Sequence, residues 1–479
     1  MPQPARASAD TSSSTAPVPA RVSPPGELRP RRRGANPRPG VTLAVTSAAT
    51  TVTLMNYTAP MLTLPAMSAA FGTPASAQAW LLNGTPLGLA VFLLVTGSLA
   101  DDHGRRRVFL LGTLALGLTT GLGAFAPSTL TFTLARVAQG AASAAVLAGS
   151  LGLLAHAFPS GPRRVRATGV WGAFVSAGIA LGPLLAGALS TIDWRLAYEV
   201  PALGALAVAA LGARALTESR APRGGRPDIA GALALGLALA ALLTALTLGR
   251  DGWLRVPVGL LLLGAVVCTA VFAAVERRSR TPMIDPALLR RPAFLAATSG
   301  ALFTGLAVIG LFSCLPAILQ GGTGMSPLGA AWLFVIWSGT AFLVALQARR
   351  LAGRLAAHHQ LAVGFVLSTA GVLGLLGSLD GDGPWARMLP GLFVAGVGSG
   401  LLNAALPRLA VDSVPPERAA MGSGANNTAR YIGSAAGVSL TIALSPAGPD
   451  TALVVAAVLG LAGAVVTVGV ARPRPGRPS

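Results

Sequence analysis

Residues Gly97–Phe109 read GSLADDHGRRRVF, a short charged stretch set between two long apolar runs. No charged residue occurs from Pro39 to Ala100, and none between Arg107 and Arg136. A bilayer core about 30 Å thick needs about 20 apolar residues in a helix. An apolar run, a compact basic turn and a second apolar run therefore read as two membrane helices joined on one side of the bilayer.

The composition agrees. Of 479 residues, 53% are hydrophobic and 11% are charged, against about 25% charged in soluble domains. The net charge is +20, and all 36 basic residues are Arg. Thirty of them fall in the two tails and in alternate loops, and none forms a basic surface interleaved with aromatic residues, so nucleic-acid binding is excluded. Cys268 and Cys314 each sit inside an apolar run and read as core residues, not as a disulfide framework. Residues 1–40 are rich in Pro, Ser and Arg and lack an early apolar segment, which predicts a disordered tail without a signal peptide.

Charge-poor windows predict fourteen spans: 42–67, 80–100, 107–126, 129–156, 167–191, 196–213, 229–249, 256–275, 293–319, 328–348, 360–379, 387–408, 419–444 and 451–471. Two of the boundaries rest on turn chemistry alone, at Phe71–Gln78 and Gln320–Pro327. Loop charge tests the count. With the N-terminus inside, inner segments hold thirty Arg and outer loops four, Arg195, Arg250, Arg255 and Arg387. That alternation predicts two cytoplasmic termini.

Four motifs carry more than topology. In the first loop, Gly97 is expected to let two helices approach, Asp101 to cap the next helix or pair with Arg105, and Gly104 to make the sharp turn. In the fourth span, Arg136, Gln139 and Ser143 share a helix face, and an Arg at membrane depth should meet a cavity or a partner. The fifth span, Gly169–Gly187, spaces Gly178, Gly182, Pro183 and Gly187 for close packing and a kink. In the thirteenth, Asn427, Arg430, Tyr431 and Ser434 lie on one face.

These motifs resemble those of the major facilitator superfamily. The Gly182-Pro183 helix and the fourteen spans are similar to its drug:proton antiporter branch. The resemblance implies an all-α integral membrane fold. It divides the chain into a tail (1–40), a six-helix half (41–215), two inserted helices (216–280), a second six-helix half (281–471) and a short tail (472–479). It implies export of small hydrophobic or amphipathic compounds by alternating access, in the plasma membrane, as a monomer. The drive would be the proton gradient, with no cofactor, and the partners a small-molecule substrate and the lipid bilayer. The Gly97–Arg105 loop would act as a latch where the halves meet.

The resemblance breaks in two places. Asp102 stands where the family usually has a basic residue. The family's first-span Asp is Asn56 here, beside Tyr57. Proton coupling needs a titrating group in the path, and Glu199 is the one acid near membrane depth. Arg136 and Arg430 without that carboxylate predict neutral or anionic substrates. An uptake symporter or facilitator of the same fold is the alternative, and the Gly-Pro helix favours export. A membrane enzyme would need a catalytic cluster. The four His are scattered, and neither H-E-x-x-H nor G-x-S-x-G occurs. A channel would need charge rings or a filter loop, and none is visible.

Overall fold

In hydrocarbon no water can satisfy backbone N–H and C=O groups, so an apolar chain of this kind pairs its backbone inside helices. The computed structural model describes residues 38–74, 77–158, 162–219, 229–249, 252, 254–278, 288, 290–348, 356–379, 383–414 and 419–471. Among them the regular structure is helical throughout. The terminal segments 1–37 and 472–479, on which the tail assignments fall, lie outside the described residues.

Fifteen α-helices follow one another. They are α1 Pro39–Phe71, α2 Gln78–His103, α3 Arg105–Ala124, α4 Thr129–Ala157, α5 Pro162–Leu189, α6 Leu196–Ala215, α7 Ile229–Gly249 and α8 Val256–Arg278. Then come α9 Pro292–Phe303, α10 Gly310–Gly322, α11 Pro327–Ala348, α12 Ala357–Leu373, α13 Met388–Asp412, α14 Ala419–Leu444 and α15 Pro449–Ala471. The count exceeds the fourteen spans because a π turn, Thr304–Ile309, joins α9 to α10 within one run, Pro292–Gly322. Nine described runs are long and apolar enough to cross a membrane by length and composition. Large apolar side chains such as Leu122, Leu203, Leu237 and Val465 are exposed around the bundle. A soluble monomer does not display apolar surface on that scale, and this is a multi-pass membrane protein.

Turn chemistry sets the ends that charge does not mark. α1 stops at Gly72 (φ +60°), and Gly324 (φ +64°) precedes α11. α12 ends at Leu373, six residues before the expected 379, and the chain turns through Gly377 (φ +67°), whose N–H donates to the Asp450 carboxylate.

The packing repeats itself. In the first set of helices α4 packs on α2 and α3, α6 on α3 and α1, and α5 on α1. In the second, α13 packs on α11 and α12, α15 on α12 and α9, and α14 on the α9–α10 run. The two sets meet along α2 against α14 and α5 against α11. The second contact is the first with the partners' roles exchanged, as a pseudo-two-fold arrangement requires. Between the sets in sequence, α7 and α8 pack on each other, and α7 rests on α2 and α14.

Candidate substrate cavity and gate

The buried polar centre of the first set is built round Arg136, which is fully buried on α4. Its Nη1 donates to the backbone oxygen of Asn56 (2.9 Å), to Asn56 Oδ1 (3.0 Å) and to Gln139 Oε1 (2.6 Å). The Asn56 amide donates to Thr120 Oγ1 at 3.0 Å, and the Gln139 amide to the Thr119 carbonyl at 3.0 Å. The Tyr198 ring lies 5.9 Å from the guanidinium, and the Tyr198 hydroxyl meets Thr63 of α1 at 2.8 Å. So α1, α3, α4 and α6 hold this Arg with neutral oxygens and a ring. Arg136 thus meets an amide network inside the helix bundle and does not line the open cavity.

The open cavity lies between the two sets, with about 770 Å³ of empty space when the open solvent at its mouth is included. Side chains from α1, α5, the π turn, α10, α11, α13 and α14 line it, and no acidic residue is among them. Tyr57, Arg430 and Tyr431 all face it. Sequence reasoning missed its aromatic wall. Phe312 of α10 stacks on Trp337 of α11 at 4.1 Å and 7°, Phe334 meets Trp337 edge-on at 5.0 Å, and Trp337 Nε1 donates to Ser399 Oγ at 3.0 Å.

The rest of the α14 face divides. Ser434 Oγ meets the Tyr57 hydroxyl at 3.2 Å, whereas Asn427 turns its amide back to the Ser423 carbonyl of its own helix. Glu199, in the first turn of α6, is half-buried and outside the cavity lining.

One end of the cavity is sealed. Asn83 of α2 donates to Ser439 Oγ (2.9 Å) and to the Ala435 carbonyl (3.2 Å) of α14, and Gln320 of α10 donates to the Leu62 carbonyl of α1 (3.1 Å). Thr247 of α7 joins this knot, 3.4 Å from both Asn83 Nδ2 and Ser439 Oγ. Gly187 completes the seal: a Cβ there would stand 2.9 Å from Ala331 Cβ of α11. At the other end of the same helices, a Cβ at Gly97, Gly169 or Gly172 would meet nothing within 4 Å.

The glycine-spaced helix α5 packs closely on α1. Gly178 lies against Thr51 and Leu54, and Gly182 against Thr58 and Met55, with buried Pro183 beside it. The second set repeats the device unannounced. Gly433 and Gly437 press α14 against Leu302 and Leu306, and Gly305 of the π turn fits under the backbone of Arg430.

The Gly97–Phe109 loop differs from expectation in one respect. Gly97 faces open space, because α2 makes its close approach nearer its start, where Gly88 meets Gly140 of α4. Glu218, just after α6, places a carboxylate over the α3 N-terminus. Its Oε1 accepts from the Arg106 N–H at 3.0 Å, and Arg107 Nε lies 3.8 Å from Oε2. The Asp101 side chain lies outside the described residues. Gly104, at φ +116°, makes the turn, and a Cβ there would strike the Glu218 carboxylate at 2.7 Å. Arg105 reaches the Gly152 carbonyl of α4 at 3.2 Å, and Arg106 the Ala213 carbonyl of α6.

Two helix sets in pseudo-symmetric contact, around one cavity lined from both, define a polytopic membrane protein. Residues 46–438 match the family model of the Major Facilitator Superfamily, and the chain belongs to that family. It is 33% identical over 380 residues to the multidrug resistance protein Stp of Mycobacterium tuberculosis (strain CDC 1551 / Oshkosh), covering 79% of this chain and 70% of that one. It is 33% identical over 425 residues to the puromycin resistance protein pur8 of Streptomyces alboniger, covering 85% and 82%. Among solved structures, the human organic anion transporter MFSD10 (TETRAN) shares the fold at a TM-score of 0.64, with 18% identity over 90% of this chain and 100% of that one.

Proposed function

We propose that the chain exports small hydrophobic or amphipathic compounds, antibiotics among them, from the cytoplasm by alternating access. The observation that carries this is the cavity itself: it is lined from both helix sets, sealed at one end by Asn83–Ser439 and Gln320–Leu62, and flanked at the other by glycines in open space. The antibiotic-resistance relatives supply the direction. In this reading all fourteen helical runs cross the bilayer, residues 41–215 and 281–471 are the rocking halves, 216–280 holds an inserted pair, and both termini are cytoplasmic. The sealed end then faces outward, and the conformation is inward-open.

The drive is the proton gradient. The cavity lining offers no carboxylate, so the proton travels outside it. Glu199 is the acid proposed to carry it. It adjoins Tyr198, which touches both Arg136 and Thr63.

Everted vesicles from an efflux-deficient host test the reading. Vesicles carrying the chain should accumulate an exported antibiotic when energised, and Glu199→Gln should abolish the part driven by the pH gradient. Accumulation in right-side-out vesicles instead would reverse the direction. Undiminished pH-driven transport in Glu199→Gln would remove that residue from coupling. In a background lacking Cys268 and Cys314, Thr191→Cys should react with an impermeant maleimide in intact cells, and Arg107→Cys only after permeabilisation. The opposite pattern would invert the topology.

A further inference from the structure

We infer that the central cavity is a site for planar aromatic anions, with Arg430 holding the negative group and the Phe312–Trp337 stack receiving the ring. The inference rests on the transport reading above and names the substrate class of that cavity.

Charge comes first. Arg430 lines the cavity, its Nε is buried without a hydrogen-bond partner, and the Tyr431 ring lies 5.3 Å from its guanidinium. A ring offsets part of the cost of desolvating a cation, and a carboxylate would offset more. None of the residues lining the cavity is acidic. Arg136, the other cation at this depth, is already taken up by Asn56 and Gln139 and does not line the cavity. A ligand anion would therefore supply the missing partner through charge-assisted, forked hydrogen bonds. A ligand cation would meet like charge in a space of low dielectric.

Shape is the second, independent observation. The Phe312–Trp337 stack is a flat slab, nearly parallel at 7°. Its plane is held by the Trp337–Ser399 hydrogen bond and by Phe334 edge-on. A pre-oriented slab offers a planar ring offset stacking at little ordering cost. The backbone of Arg430 is fixed as well, since the π turn packs Gly305 under it. Single π turns recur where helices are shaped for function.

Depth separates a small solute from a lipid headgroup. Arg430 is eleven residues beyond Ala419, the start of α14, or about 16 Å along the helix at 1.5 Å per residue. That is near mid-membrane, where a headgroup phosphate at the bilayer surface does not reach.

The test uses the full chain in detergent and three probes with one ring system: pyrenesulfonate, pyrenemethanol and pyrenemethylammonium. Binding is read as the fluorescence anisotropy of the pyrene probe. The expected order is anion, then neutral, then cation. Arg430→Gln should lower the anion-to-neutral affinity ratio at least about tenfold, Arg430→Lys should keep part of it, and Trp337→Ala should weaken all three probes. A cation bound as tightly as the anion, an unchanged ratio in Arg430→Gln, or no binding of any probe would overturn the site. If Arg430→Gln does not fold, Arg430→Lys and the three-probe order in the unmodified chain decide. Anion binding without movement of pyrenesulfonate in proteoliposomes would sink export and leave the site standing. Export of other compounds with no anion preference would do the reverse.

Discussion

Asn56 and Arg136 show how a single side chain changes the chemistry of a helix bundle. An Asp at position 56 would make an ion pair. The Asn instead leaves the guanidinium to neutral oxygens and donates onward to Thr120. Hydrogen bonds to a charged group are worth about 1.5–3 kcal/mol, so Asn56→Leu should cost about 2 kcal/mol. The cost should shrink when Arg136 is also Met, because the orphaned charge is then gone. A double-mutant cycle on thermal unfolding in detergent measures it, and equal costs in both backgrounds would deny the coupling. At the loop, Glu218 accepts from the first turn of α3, where the helix dipole favours an anion. Glu218→Ala should lower stability by about 1 kcal/mol, with a lower unfolding midpoint as the readout. Nothing in the order of residues announces this role. Glu218 lies 112 positions from Arg106, and only the fold brings it back to cap a helix it follows by three others.

At the scale of the element, the legible features are those that lipid enforces. Charge is barred from the bilayer core, so the charge-poor windows find every helical run, and Gly72, Gly324 and Pro327 mark the ends that charge leaves blank. The α5 glycines are legible for the same kind of reason, since small residues at regular spacing have one main use in a membrane. The cavity wall is not. Phe334 and Trp337 sit in α11, which is apolar on all sides, so no periodicity separates its cavity face from its lipid face. The π turn carries no composition cue, and the match of Gly433 and Gly437 to Leu302 and Leu306 appears only when the two sets are laid side by side. A contrast within one helix tests the packing argument. Gly182→Leu would drive a side chain into Met55, whose Cα is already 2.8 Å from an ideal Cβ, whereas Gly172→Leu enters open space. The first should abolish folded, active protein and the second leave its yield near normal. Equal yields would mean that α5 is not held by these contacts.

The proposed alternating access requires that the sealed end open. Asn83, Ser439 and Thr247 tie α2, α14 and α7 together at that end. On that reading the α7–α8 pair is not a passive addition: through Thr247 it touches both sets where they would part. Removing that contact with Thr247→Val should favour the other conformation. Locking the gate is the sharper test. In a background without Cys268 and Cys314, Asn83→Cys with Ser439→Cys places two thiols across a contact now 2.9 Å long between side-chain atoms. A short bismethanethiosulfonate should join them, and α2 can then no longer leave α14. The crosslinked protein should still bind ligand from the open side and should stop exporting, and a reducing agent should restore export. Each single-cysteine variant treated in the same way should export throughout. Continued export by the crosslinked double variant would mean that this end does not open during transport, and the alternating-access reading of the seal would fail.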